Sequence, residues 1–260
     1  MIKKNLLPFL LFLPFCSLSL TAQNIYPDVQ VLDSGMNTSI RGISVVNDNV
    51  VWVSGSNGMV GKSSNGGKNW KWMTVKGFEK NDFRDIEAFD ASTAVIMSIA
   101  DPAYILKTTD GGGTWKIVYQ NDTRGMFLDA MDFSNPNEGM VIGDPVDGHF
   151  FMARTKDGGD SWQELKMEER PVADSGEAFF AASGSNISYL FNTSYVYVSG
   201  GTASRIFSNE TAPAPLPVIQ GKETTGANAI AVWDDYSKHA GRRMVVTGGD
   251  FNDPASSDKN

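Results

Sequence analysis

Short apolar runs recur along the chain, separated by Gly, Asn, Asp and Ser. Residues 40–46, Ile-Arg-Gly-Ile-Ser-Val-Val, mix apolar and polar positions, and residues 50–54, Val-Val-Trp-Val-Ser, are almost wholly apolar. Residues 59–63 and 70–75 follow in the same style. β-branched and aromatic side chains dominate these runs, and no useful stretch repeats its apolar positions at a helical spacing, so the pattern predicts strands. Residues 47–49 (Asn-Asp-Asn) and 55–58 (Gly-Ser-Asn-Gly) are turns between them. Four short antiparallel strands therefore fit into roughly 45 residues, the size of one propeller blade.

The same order returns. In the second unit the expected strands are residues 83–89, 93–99, 104–108 and 115–119; in the third they are 127–133, 138–142, 150–155 and 162–165. A looser fourth unit places strands at 177–182, 195–199, 204–208 and 218–219. A fifth begins at 229–233, continues at 243–247, and stops. Ahead of the first unit, Val29, Val31 and Leu32 suggest an edge strand.

A box closes each of the first three units. Residues 63–70 read Ser-Ser-Asn-Gly-Gly-Lys-Asn-Trp, residues 108–115 Thr-Thr-Asp-Gly-Gly-Gly-Thr-Trp, and residues 155–162 Thr-Lys-Asp-Gly-Gly-Asp-Ser-Trp. Their starts lie 45 and 47 residues apart, a period that marks an array of supersecondary units. The chemistry of the box is structural. Ser63, Thr108 and Thr155 open it; Asn65, Asp110 and Asp157 accept backbone N–H bonds within their own turn. Gly67, Gly112 and Gly159 supply positive φ at little cost. Trp70, Trp115 and Trp162 open the fourth strand and bring a large apolar surface to the contact between sheets. One carboxylate per turn falls short of the six to eight oxygens that calcium takes. In the fourth unit the box has decayed to Ser208-Asn209-Glu210-Thr211.

The fold expected is all-β: a β-propeller of four-stranded antiparallel blades, about four and a half of them present. A propeller avoids exposed edges by closing its ring, so the stop within the fifth unit suggests a ring truncated at its C-terminus.

The first 22 residues read as a secretory signal peptide. Lys3 and Lys4 precede an apolar run broken by Pro8 and Pro14, too short to span a bilayer, and a small residue, Ala22, ends it. The mature domain is then 23–260, secreted or periplasmic, with a bacterial style of export signal and no membrane span after cleavage. Cleavage removes Cys16, the single cysteine, and leaves His149 and His239 as the only histidines, so neither a disulfide nor a zinc site of ordinary spacing is expected. No cofactor is implied. Of 22 basic residues, all but Lys3 and Lys4 remain, 20 against 30 acidic ones, a net charge of −10 that disfavours nucleic acid as partner.

The boxes resemble the Asp-box, or BNR repeat, of sialidases, sortilin-type receptors and photosystem II stability/assembly factor-like proteins. The order of strands, with the Trp-Val-Ser-Gly run at 52–55, is most similar to the photosystem II assembly factor-like group, over roughly residues 38–260. That resemblance implies a β-propeller of six or seven blades and an assembly role at a membrane complex. Some bacterial relatives carry an oxidoreductase label. The chain has no Gly-x-Gly-x-x-Gly opening a helix, no thiol pair and no haem-attachment motif to support it.

With the box on one face, the loops between strands two and three and the approaches from one unit to the next converge on the other. The first set contributes Ser54, Ser56, Asn57, Asp101, Asp144, Asp147 with His149, and Asp250. The second contributes Arg41, Arg84, Asp85, Arg124, Asp129, Glu177 and Asn228. Arg41 and Arg84 stand at equivalent places in adjacent units. Residues 143–148, Gly-Asp-Pro-Val-Asp-Gly, are the densest acidic loop, with solvated turn residues or a weak calcium site as the two readings. The function expected is a non-catalytic platform that binds a protein or glycan on this loop face. The alternative is sialidase-like glycoside hydrolysis, for which the resemblance implies an arginine triad; Phe83-Arg84-Asp85-Ile86 departs from that motif, since Asp85 would sit beside the arginine meant to grip an anion.

Overall fold

Twenty strands and one turn of 3-10 helix (Met167–Glu169) are found in the computed structural model, which describes residues 29–34, 36–99, 102–181, 184–191, 193–235, 241–253 and 255. The signal segment and Asp101 lie outside the described residues. The first sheet takes β1 (Ile40–Val45), β2 (Val51–Gly55), β3 (Met59–Ser63) and β4 (Lys71–Thr74) in that order, all antiparallel. The second repeats it with β5 (Phe83–Ala88), β6 (Ala94–Ser98), β7 (Ala103–Thr108) and β8 (Lys116–Asn121). The third has β9 (Leu128–Asn135), β10 (Glu138–Val146), β11 (His149–Thr155) and β12 (Gln163–Glu164).

The later part of the chain departs from the sequence expectation. Its fourth sheet is built from β14 (Ile187–Phe191), β15 (Ser194–Val198), β17 (Arg205–Ser208) and β18 (Ala214–Pro215). The first strand is therefore Ile187–Phe191 rather than 177–182, and the last precedes the expected 218–219. Residues 177–182 supply only β13 (Glu177–Ala178), which pairs with β16 (Gly200–Gly201). That pair joins the long hairpin of β19 (Thr225–Asp235) and β20 (Gly241–Asp250) to make the fifth sheet. The joint depends on glycine: Gly200 faces Gly226, and a Cβ on Gly226 would stand 2.4 Å from the Gly200 Cα while φ there is +130°. Val29, Val31 and Leu32 form no strand and lie exposed. Asp33 instead accepts the Trp72 indole N–H at 2.9 Å.

The first strands of the first four sheets pack on one another, β1 on β5, β5 on β9 and β9 on β14, and β14 packs on β19 of the fifth, so these strands form the inner wall of the array. Between sheets lie four apolar clusters. Trp52, Phe83, Ile86, Ile96 and Leu106 fill the first seam; Val95, Met97, Leu128, Val141 and Phe151 the second. Phe150, Phe179, Tyr197 and Phe207 fill the third, and Val196, Val198, Ala227 and Ile230 the fourth. Period-2 strands with both faces covered explain the near-continuous apolar runs at 50–54 and 94–98.

The boxes have one geometry three times over. The Ser63, Thr108 and Thr155 hydroxyls accept the N–H of Gly67, Gly112 and Gly159 at 2.8, 3.0 and 2.9 Å. They donate to Asn65, Asp110 and Asp157 at 3.2, 2.9 and 2.8 Å. The glycine before each, Gly66, Gly111 and Gly158, donates its N–H to the turn between strands one and two, on the carbonyls of Asn49, Ser92 and Asn137. Both glycines of each box have positive φ. The Thr114 backbone N–H and hydroxyl pull the Asp110 carboxyl down to about 2, and the Ser161 hydroxyl and N–H do the same for Asp157. The indole N–H of Trp70, Trp115 and Trp162 is buried without an acceptor among the described residues.

Candidate functional site

At the end of the sheets opposite the boxes, four of the inner strands carry the same irregularity. The ladder skips Arg41 in β1, Arg84 in β5, Asp129 in β9 and Asn228 in β19. Each is the extra residue of a β-bulge, released from pairing and re-aimed relative to its neighbours. Arg41 and Arg84 thus hold matching backbone positions in adjacent sheets.

Asp82 stands between the two arginines. Its carboxylate lies 2.9 Å from Arg84 Nε and 4.0 Å from Arg41 Nε. Arg84 also donates to the Ala181 carbonyl at 2.8 Å, tying the second sheet to the approach of the fourth. Arg41 is the freer of the two, a third exposed along its side chain. Beside Asp82 opens a groove of about 510 Å³, lined by Phe78, Lys80, Asn81, Ile99, Pro102 and Tyr104. Its wall is braced by Phe78 edge-on to Tyr104, with ring centroids 5.1 Å apart.

Behind the arginines the carboxylates are interior groups. Asp85 is 5% exposed and Asp129 fully buried, so neither belongs to the solvated rim that their sequence positions suggested. Asp85 accepts the N–H of Ile86 and, across the seam, of Met131, both at 2.8 Å. Burial, with Glu87 nearby, pushes its carboxyl well above the usual range. Burial and the neighbouring Asp144 do the same to Asp129, whose oxygens have no well-formed hydrogen bond. Burial pushes Asp144 up to about 6 even though it accepts the Phe179 N–H at 2.9 Å. Asp132, half-buried and accepting the Tyr189 N–H, is also pushed by desolvation up to about 6.

Glu87 carries a pH consequence. Burial, then the Asp132 charge, raise its carboxyl from 4.5 to about 8. The folded chain therefore holds a proton there that the unfolded chain loses above 4.5. The slope of stability with pH is negative in that window, so stability falls as pH rises from about 4.5 to about 8 and levels beyond it. Melting curves of the wild type and Glu87→Gln between those limits should show a shallower decline in the variant. Equal slopes would assign the decline to the other raised carboxyls, Asp85, Asp129, Asp132 and Asp144.

Other residues read as rim groups serve the fold. Ser54 is buried and donates to the Phe83 carbonyl at 3.2 Å. Ser56 accepts the Ser39 N–H and Asn57 donates to the Asn37 carbonyl, so both fasten the lead-in segment. Glu177 is 3% exposed and locked in a two-pronged pair with Arg205. Asp147 and Gly148 are the positive-φ tip of the β10–β11 hairpin, with the Asp147 carbonyl 3.2 Å from His149 Nδ1. Asp144 turns inward to Phe179 while Asp147 sits at the tip, so the acidic loop does not gather its carboxylates. Among the described residues no cluster of His, Cys, Asp and Glu could hold a metal ion. Arg124 is exposed, and Asp250 pairs with Lys222 at 3.5 Å. Sequence reasoning did not find Asp82, Glu87, Asp132 or the groove, because nothing in the local sequence distinguishes an inward polar residue from an outward one.

Five antiparallel sheets packed through their inner strands, the first three closed by a repeated Gly-Gly turn, define a β-propeller of the box-repeat class. Residues 71–205 match the family described as photosynthesis system II assembly factor YCF48, over half of the chain, and the protein belongs to that family. A search of curated proteins returned no match. Among solved structures, YCF48 from Cyanidioschyzon merolae is similar at 17% identity and a TM-score of 0.56, covering 84% of this chain and 67% of that one. YCF48 bound to D1 peptide is similar at 17% identity and a TM-score of 0.51, covering 81% of this chain and 62% of that one. The GH74 enzyme of Niastella koreensis shares the fold at 16% identity and a TM-score of 0.50, covering 81% of this chain but 28% of the enzyme. This chain thus spans less than two thirds of the peptide-bound structure.

Proposed function

We propose that this propeller is a non-catalytic assembly factor that holds a peptide segment of a partner protein across the bulged ends of its inner strands. The observation that carries the reading is the bulge repeated at Arg41, Arg84, Asp129 and Asn228. It sets Arg41 and Arg84 at matching levels beside an aromatic-lined groove, so a charged group and an apolar side chain of one extended peptide have adjoining places to dock. Family membership supports an assembly role, and a neighbour of the same fold holds D1 peptide.

The D1 peptide, fluorescently labelled and titrated against the full chain, tests the reading by anisotropy. Saturable binding is expected, weakened about tenfold or more in Arg41→Glu, since a charge-assisted hydrogen bond contributes about 1.5–3 kcal/mol. A folded chain that binds the peptide no better than a scrambled control would overturn it. We further propose that the protein acts outside the cytoplasm after loss of residues 1–22. The Lys3-Lys4 start and the short apolar run support export, and an N-terminal sequence beginning at Gln23 on the cellular protein is the result expected.

A further inference from the structure

The opposite face holds a second polar site, at the seam between the third and fourth sheets. Each of the first two box-bearing sheets lends one cation to its successor. Lys62, in register with Trp52 on β2, crosses to the second sheet and donates to the carbonyls of Ala91 and Gly111 at 2.8 and 3.2 Å. Its Nζ also lies 4.8 Å over the Trp52 ring. Lys107, in register with Val95 on β6, crosses to the third box and pairs with Asp160 at 2.9 Å. Arg154, in register with Met140 on β10, is the third member of the series, one residue before the Thr155 hydroxyl as Lys62 and Lys107 are before Ser63 and Thr108.

Its counterpart is missing. The fourth box reads Ser208-Asn209-Glu210, and Pro213 stands where the third box has Asp160. Asn209 is used elsewhere, accepting the Tyr195 N–H and donating to the Thr193 carbonyl. Glu210 is taken by the Ser194 hydroxyl. Arg154 is left with no ion pair among the described residues, and its Nε is buried without a hydrogen-bond partner. At that point a pocket of about 230 Å³ opens, lined by Arg154, Lys156, Glu138, Tyr189, Tyr195 and Asn209. The two tyrosine rings meet edge to face, centroids 5.7 Å apart, and wall it on one side.

A half-buried guanidinium with an unmatched N–H is costly to leave unpaired and strongly favours an anionic acceptor. We infer that the pocket between the third and fourth sheets binds a small carboxylate group, which takes on Arg154 the place that Asp160 takes on Lys107. Lys156 adds positive charge at the rim. Asn209 and the tyrosine walls set the size, and Glu138 restricts the ligand to one that keeps its carboxylate on the Arg154 side. The site lies away from the bulged ends of the inner strands and stands whether or not those bind peptide.

Calorimetric titration of the full chain with succinate, and separately with a glycine peptide carrying one glutamate, tests the inference; an all-glycine peptide is the blank. Saturable binding of at least one ligand is expected, reduced about tenfold or more in Arg154→Gln. Succinate alone would mark a free small carboxylate as the ligand, and the peptide alone a segment of protein. Because Arg154 has no partner to lose, Arg154→Gln should melt close to the wild type, whereas Lys107→Gln should melt lower. If Arg154→Gln does not fold, Lys156→Gln reads the same binding, several-fold weaker. Neither ligand binding, or undiminished binding by Arg154→Gln, would overturn the site.

Discussion

Phe150→Ala should destabilise the protein more than any other single truncation considered, by about 3–5 kcal/mol. Phe150 is fully buried at the third seam, stacked on Phe179 at 4.3 Å and edge-on to Phe207 at 5.4 Å. Phe207 in turn lies parallel to Tyr197 at 4.9 Å. Removing the first ring strips one side from two others, and the β-sheet backbones around it cannot close the space. The loss combines transferred area with a cavity, and aromatic pairs add about 0.5–1.5 kcal/mol each beyond area. Urea melts of wild type and variant measure it. Phe150→Leu refills part of the volume and should recover about half of the loss; equal loss in both variants would mean that ring geometry, not volume, holds the seam.

Asp85→Ala ranks second, at about 2–5 kcal/mol, since two buried backbone N–H groups lose their acceptor at about 1–3 kcal/mol each. One, on Ile86, belongs to its own strand; the other, on Met131, belongs to the next sheet. The penalty therefore falls on a seam as well as a strand. Asp85→Asn keeps one acceptor and turns an amide donor toward the other N–H, so its loss should lie between wild type and alanine. The carboxyl is already pushed up by burial, so replacing it with a neutral group removes no favourable charge. A substitution to alanine without effect on the urea midpoint would show that solvent reaches both N–H groups.

The first three sheets were legible because a rigid turn chemistry repeats in them. Residues 63–70, 108–115 and 155–162 fix the end of strand three and the start of strand four, and the apolar runs fill in the rest. The fourth sheet was misjudged where that ruler fails. Glu177-Ala178-Phe179-Phe180 carries the apolar content of a first strand, yet Phe179 inserts into the third seam and the strand falls instead at Ile187–Phe191. Tertiary packing decided between two segments that the local pattern did not separate. The bulges were hidden for a different reason: an unpaired residue is defined by its partner strand, not by its own sequence. Arg41 and Arg84 were singled out by their spacing alone. Asp85 and Asp129 were grouped with the rim because sequence shows charge but not depth.

The three seams closed by the early sheets are not fastened alike. At the first two, an apolar cluster is backed on the box face by a lysine that reaches into the following turn. At the third, that cation has let go, and on that face the joint rests on packed aromatic rings. Apolar burial weakens on cooling, while a charged hydrogen bond does not follow the same curve. Cold should therefore loosen the array first between its third and fourth sheets, leaving the leading three as a block that moves against the rest.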